Sequence, residues 1–195
     1  MIRGSEHRVV NVDMDSTLFD FEHPIKKELA RLGIAYADPT LDFYISKRYS
    51  DPEIVELIES IHNAEGFFLS LPPIEGSIEA WHTMVELGYH PRINSKPLRS
   101  NSYCREEKLA SIDYYLGPTT ADEAYLGGNK EAEPGIALFD DRPGMGDGKT
   151  WKRIIYTQPW NAHEEDWRIE SWQDPTLPVL LAACAARYDR LFARI

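Results

Sequence analysis

Cysteine is scarce in this chain. Of 195 residues only Cys104 and Cys184 carry a thiol, too few for a disulfide framework at this length, and the expectation is a reducing compartment. Long apolar runs are missing as well. The longest, near residues 178–186, is too short to span a bilayer, and the opening Met1-Ile2-Arg3-Gly4-Ser5-Glu6 lacks the apolar core of a signal peptide. A soluble, cytoplasmic protein with no membrane partner is expected. Positive charge is also short: 21 Lys and Arg against 32 Asp and Glu leave a net charge of −11. That balance repels a nucleic-acid polymer. It does not exclude a small phosphorylated ligand, because a bound divalent cation and a few lysines reverse the field locally. With 43% hydrophobic residues, the chain can build one domain, or one domain with an insertion.

What is present is organised around Val9-Val10-Asn11-Val12-Asp13-Met14-Asp15-Ser16-Thr17. The β-branched run reads as a buried strand that ends on two carboxylates two residues apart. At the carboxyl edge of an open α/β sheet, where ligands bind, Asp13 and Asp15 repel each other unless a cation or a proton sits between them.

Downstream, helices are expected over 25–32, about 51–61, 77–87, 103–116 and 177–191. Pro24 and Pro52 fall at first-turn positions, Asp51 at an N-cap, and Gly33 and Gly88 just past helix ends. Strands are expected over 89–94, 124–126, 135–139 and 153–156, and the fourth of the chain's five ends on Asp140-Asp141. Alternating strands and helices predict a doubly wound, Rossmann-like parallel sheet with helices on both faces. The helical stretch before Pro72 is too long for one crossover. It reads as a small cap, residues 22–71, inserted after the first strand into a core of residues 1–21 and 72–195. Trp151, Trp160, Trp167 and Trp172 sit in no motif and read as packing.

Four pieces lie at strand ends: Asp13/Asp15, Ser95, Lys130 and Asp140/Asp141. Singly, each is ordinary turn or cap chemistry. Together they supply a nucleophile, an acid/base, a hydroxyl and an ammonium for phosphate oxygens, and carboxylates for a hard cation.

In that order the pieces resemble the four motifs of the haloacid-dehalogenase-like phosphatases. More narrowly, DMDSTLFDF (13–21), GFFLSLPPIEG (66–76), residues 93–98 and FDDRP (139–143) are similar to the 5′(3′)-deoxyribonucleotidases. The resemblance implies a Mg²⁺-dependent phosphomonoesterase acting on nucleoside monophosphates through an aspartyl-phosphate. Asp13 would be the nucleophile and a metal ligand. Asp15 would give its backbone carbonyl to the metal and its side chain to acid/base work. Ser95, Lys96 and Lys130 would bind phosphate, with Lys108 on the preceding helix the competitor of Lys130. Asp141 would complete the metal shell, supported by Asp140, and Phe21, Phe43, Tyr44 and Ile45 would wall the substrate pocket. A homodimer is a further implication.

This chain departs from its relatives at four places. Ser16-Thr17 stands where they commonly have Gly-Val, Lys96 where they have a small hydroxyl, His62 where an indole is common, and Gly128 where an arginine is common. The last two keep open a second reading, a phosphatase of sugar phosphates or other small phosphoesters. A non-catalytic binding module on the same fold is the third.

Overall fold

The computed structural model describes residues 8–193. Six parallel strands form one sheet: β1 (Val9–Val12), β2 (His90–Ser95), β3 (Tyr125–Leu126), β4 (Ala137–Asp140), β5 (Lys152–Tyr156) and β6 (Arg168–Ile169). Their order is β3-β2-β1-β4-β5-β6. Pairing of Val12 with both Ile93 and Phe139 puts β1 at the centre, and every residue of β1 and β4 is buried. Such strands, covered on both faces, need the near-continuous apolar sequence seen here.

Helices α1 (His23–Arg31), α2 (Pro52–Asn63), α3 (Ser77–Glu86), α4 (Cys104–Leu116), α5 (Pro118–Asp122) and α6 (Leu177–Phe192) complete the fold. The expected start signals operate in α2, where the Asp51 carboxylate accepts the Glu53 N–H at 2.9 Å with Pro52 at the first helical position. Two elements escape the sequence pattern. The five-residue α5 begins on Pro118 directly after Gly117 ends α4, and the two-residue β6 is too short to show alternation. The sheet therefore has a sixth strand beyond the five expected. Ser95 is the last residue of β2, not the first after it.

Residues 22–71 hold α1, α2 and two short 3₁₀ turns but no strand, and the chain between α1 and the first 3₁₀ turn is irregular rather than helical. The two ends of this segment meet at one point. There the Asp20 N–H donates to the Pro72 carbonyl at 2.9 Å and the Ile74 N–H to the Leu18 carbonyl at 2.8 Å. Among the described residues no helix is long and apolar enough to cross a membrane.

Candidate active site

Strand order reverses between β1 and β4, and such a switch point opens a crevice at the carboxyl ends of the strands. Asp13 follows β1 there. Its N–H bonds the Phe139 carbonyl on β4 at 2.9 Å, so the two acidic strand ends are locked side by side. The chain then folds back, with the Leu18 and Phe19 N–H groups both donating to the Met14 carbonyl. Ser16 takes φ of 55° in this turn, the one non-glycine residue with positive φ among those described. Few L-residues adopt that conformation. The turn is held from behind by Gln158, whose side-chain amide donates to the Ser16 carbonyl at 2.8 Å, and by the Trp172 indole on the Thr17 carbonyl at 2.7 Å.

Two lysines enter the crevice, one for each carboxylate. Lys130 Nζ lies 3.0 Å from Asp13 Oδ2 and also pairs with Asp140. Lys108, on α4 and fully buried, lies 2.6 Å from Asp15 Oδ2 and donates to Ser95 Oγ at 3.1 Å. Lys130, favoured by its spacing from Asp140, stands at Asp13, and Lys108, the alternative to it, stands at Asp15. One helical position on α4 and one loop position before β4 supply different corners of the same site. Asn94 fixes the Lys130 loop by donating to the Lys130 carbonyl at 2.9 Å. Lys96 is exposed and lines the crevice.

Asp13, Asp140 and Asp141 offer carboxylate oxygens that all lie within 4.8 Å of one another. Burial pushes the Asp141 carboxyl well above its ordinary pKa, and the charges of Asp140 and Asp13 push it the same way. Burial also raises Asp140, against the pull of Lys130. Asp15 is raised by burial and, to a lesser degree, by Asp13, with Lys108 opposing. Lys130 is shifted upward: burial works against its charge, but Asp13 and Asp140 outweigh it. Asp141 differs from Asp140 in having only neutral donors. Thr17 Oγ1 donates to its Oδ1 and the Trp160 indole N–H to its Oδ2, each at 3.2 Å. Asp13 Oδ1 and Asp15 Oδ1 are buried with no partner among the described residues.

Above this floor is a cavity of about 430 Å³. Phe21, Phe43, Tyr44 and Ile45 all line it, as do His62, Leu98 and Trp160. Buried Arg48 sets the wall of the insertion. Its guanidinium bonds Glu22 at 2.8 Å, the Asp42 carbonyl at 2.6 Å and the Tyr36 hydroxyl at 2.8 Å. From the core, Asn101 donates to the His62 carbonyl at 2.9 Å, and Glu107 accepts the Phe68 N–H at 3.0 Å. His62 is held below its usual pKa by burial, against Glu59. Gly128 is exposed and off the cavity. Trp160, Thr17, Arg48 and Asn94 are site residues that sequence reasoning missed. Read as packing, Trp160 also bonds an acid of the site, and the only available signal was its place on the loop after β5.

A family model described as "5' nucleotidase, deoxy (Pyrimidine), cytosolic type C protein" matches residues 7–185. The human mitochondrial 5′(3′)-deoxyribonucleotidase is 31% identical over 194 residues, covering 92% of this chain and 85% of the relative. The chain belongs to the 5′(3′)-deoxyribonucleotidase family. The human cytosolic-type 5′(3′)-deoxyribonucleotidase is 29% identical over 179 residues, covering 85% of this chain and 89% of the relative. Family members are phosphoric monoester hydrolases, and the fold agrees with that of the wider haloacid-dehalogenase-like class. A Deinococcus radiodurans R1 hydrolase of that class, solved with bound phosphate and sodium, superposes with a TM-score of 0.53 at 14% identity, covering 92% of this chain and 97% of that one. At that identity the likeness concerns the fold alone.

Proposed function

We propose that this deoxyribonucleotidase-family protein is a Mg²⁺-dependent phosphomonoesterase that hydrolyses deoxyribonucleoside monophosphates through a phosphoenzyme on Asp13. The observation that carries the reading is the convergence of Asp13, Asp15, Ser95, Lys108 and Lys130 on one strand edge beneath an aromatic cavity. The aromatic walls weigh for a nucleotide and against a bare sugar phosphate, because flat apolar surface is what a base needs to stack on.

The donors suit a hard divalent cation. They are all oxygens, from Asp13, Asp141 and the Asp15 carbonyl, and the three clustered acids carry more negative charge than Lys130 neutralises. Mg²⁺ in that place would offset charge on phosphate and nucleophile. Asp140, paired with Lys130 and accepting the Arg142 N–H at 2.9 Å, supports the ligands.

The rest is chemistry of the chain itself. Asp13 forms a bond to phosphorus, helped by its unpartnered buried oxygen. The ester bond breaks as the leaving alkoxide takes a proton from Asp15. Asp15 then removes a proton from water, which attacks the phosphoryl group, frees inorganic phosphate and restores Asp13. Ser95, Lys96 and Lys130 hold the phosphoryl oxygens, as preorganised donors need no reorganisation during reaction, and buried Lys108 holds Asp15 and Ser95 in place. Phosphate release from dUMP, dTMP, ribonucleotides and sugar phosphates, with and without Mg²⁺, tests the reading. Mg²⁺-dependent release favouring deoxyribonucleotides is expected; inactivity on every nucleotide would overturn it.

A further inference from the structure

The Trp160 indole stands between two parts of the molecule that differ in sequence position and in task. Its N–H points to Asp141 Oδ2 at 3.2 Å. One face carries the Arg48 guanidinium, 5.2 Å from the ring centre, and Phe43 meets the ring edge-on at 6.0 Å. Arg48 in turn spans Glu22, the Tyr36 hydroxyl and the Asp42 and Phe43 carbonyls. Both Arg48 and Trp160 are buried, at 7% and 5% exposure. A guanidinium held by four partners and laid over an indole leaves the ring little freedom, and the ring's single polar atom is spent on Asp141.

We infer that Trp160 is a positioning residue that aims the Asp141 carboxylate at the divalent cation and is itself held in place by Arg48 of the insertion. This rests on the metal reading above. Asp141 has no cationic partner among the described residues. Thr17 and Trp160 therefore fix the plane of its carboxylate without cancelling its charge, which leaves that charge for the cation. Partners of this kind govern metal affinity about 10–100-fold in other sites. The arrangement also joins the cavity wall at Phe43 to the metal ligand through one ring.

The test is calorimetric titration of Mg²⁺ into the whole protein in the absence of substrate. Trp160→Phe keeps an aromatic ring, though a smaller one, and removes the N–H. It is expected to weaken Mg²⁺ binding about 10-fold or more. Arg48→Lys cannot cover the ring while reaching Glu22 and two carbonyls, and is expected to weaken it by a smaller factor. Trp151→Phe, at a buried indole away from these acids, leaves the affinity at the wild-type value. Circular dichroism of each variant shows that the fold is retained. Equal Mg²⁺ affinity in wild type and Trp160→Phe would overturn the inference and leave the metal reading standing. A wild type that binds no Mg²⁺ would overturn both. Loss of affinity in Trp160→Phe with none in Arg48→Lys would overturn the part assigned to the insertion.

Discussion

Lys108 Nζ sits 2.6 Å from Asp15 Oδ2, while the neighbouring carboxylate of Asp13 is served by Lys130 at 3.0 Å. Two acids two residues apart are thus given separate cations, from different elements of the fold. The division gives each lysine its own signature. Breaking a buried ion pair by removing one partner costs about 3–5 kcal/mol, so both Lys108→Met and Lys130→Met lower the melting temperature. Lys130 faces the three-acid cluster, so Mg²⁺ restores more of the loss in Lys130→Met than in Lys108→Met. Scanning calorimetry in EDTA and in Mg²⁺ measures this, and equal recovery would contradict the division.

Asp15→Asn and Asp141→Asn separate proton transfer from metal binding. Losing a positioned acid/base costs about 10²–10⁴ in rate, which is the effect expected of Asp15→Asn. Its metal contact is assigned to the backbone, so Mg²⁺ affinity stays within a few-fold of wild type. Asp141→Asn loses affinity itself. Titration calorimetry beside steady-state kinetics distinguishes the two, and an equal affinity loss in both variants would refute the assignment.

The cavity wall has a kinetic signature of its own. Phe43→Ala removes a ring that lines the cavity against Trp160. KM for deoxyribonucleotides rises on the order of 10-fold, consistent with about 1–3 kcal/mol for base–aromatic stacking. The rate on p-nitrophenyl phosphate at saturating substrate changes little. A selective loss on the small ester would place the base elsewhere.

The loop after Asp140 and Asp141 depends on Glu164, which pairs with buried Arg153 at 2.5 Å and accepts the Gly144 N–H at 2.7 Å. Burial opposes ionisation, but those contacts hold Glu164 below its ordinary pKa of 4.5. A depressed carboxylate contributes stability above its unfolded value and loses it as pH falls through the folded value. Glu164→Gln therefore melts below wild type at pH 7, and the gap closes below pH 4.5. A gap that does not narrow as pH falls below 4.5 would contradict the pairing.

Much of this was legible in the chain. Val9 to Val12 announced a buried strand, Asp51-Pro52 a helix start, and Asp13, Ser95, Lys130 and Asp141 a set of residues that the fold gathers around one cavity. Three things were not. β6 has two residues, and its only signal is pairing with β5, a non-local contact. Lys108 sits one helical turn beyond Cys104 on a helix with no amphipathic contrast to reveal which side faces the crevice. Trp160 has the composition of a packing residue. Only its hydrogen bond, set by tertiary placement, marks it as more. Phe43 and Tyr44, expected in the pocket wall from the family resemblance, do line the cavity, though they stand in irregular chain whose Arg48 contacts no periodicity encodes.

A phosphoryl group carried on Asp13 is open to direct detection. Wild-type protein turning over dUMP labelled in its phosphate, with Mg²⁺, is quenched in acid and digested for mass spectrometry. Label is expected on the peptide bearing Asp13, with neither label nor phosphate release for Asp13→Asn. Phosphate release at the wild-type rate by Asp13→Asn would contradict a phosphoenzyme on Asp13.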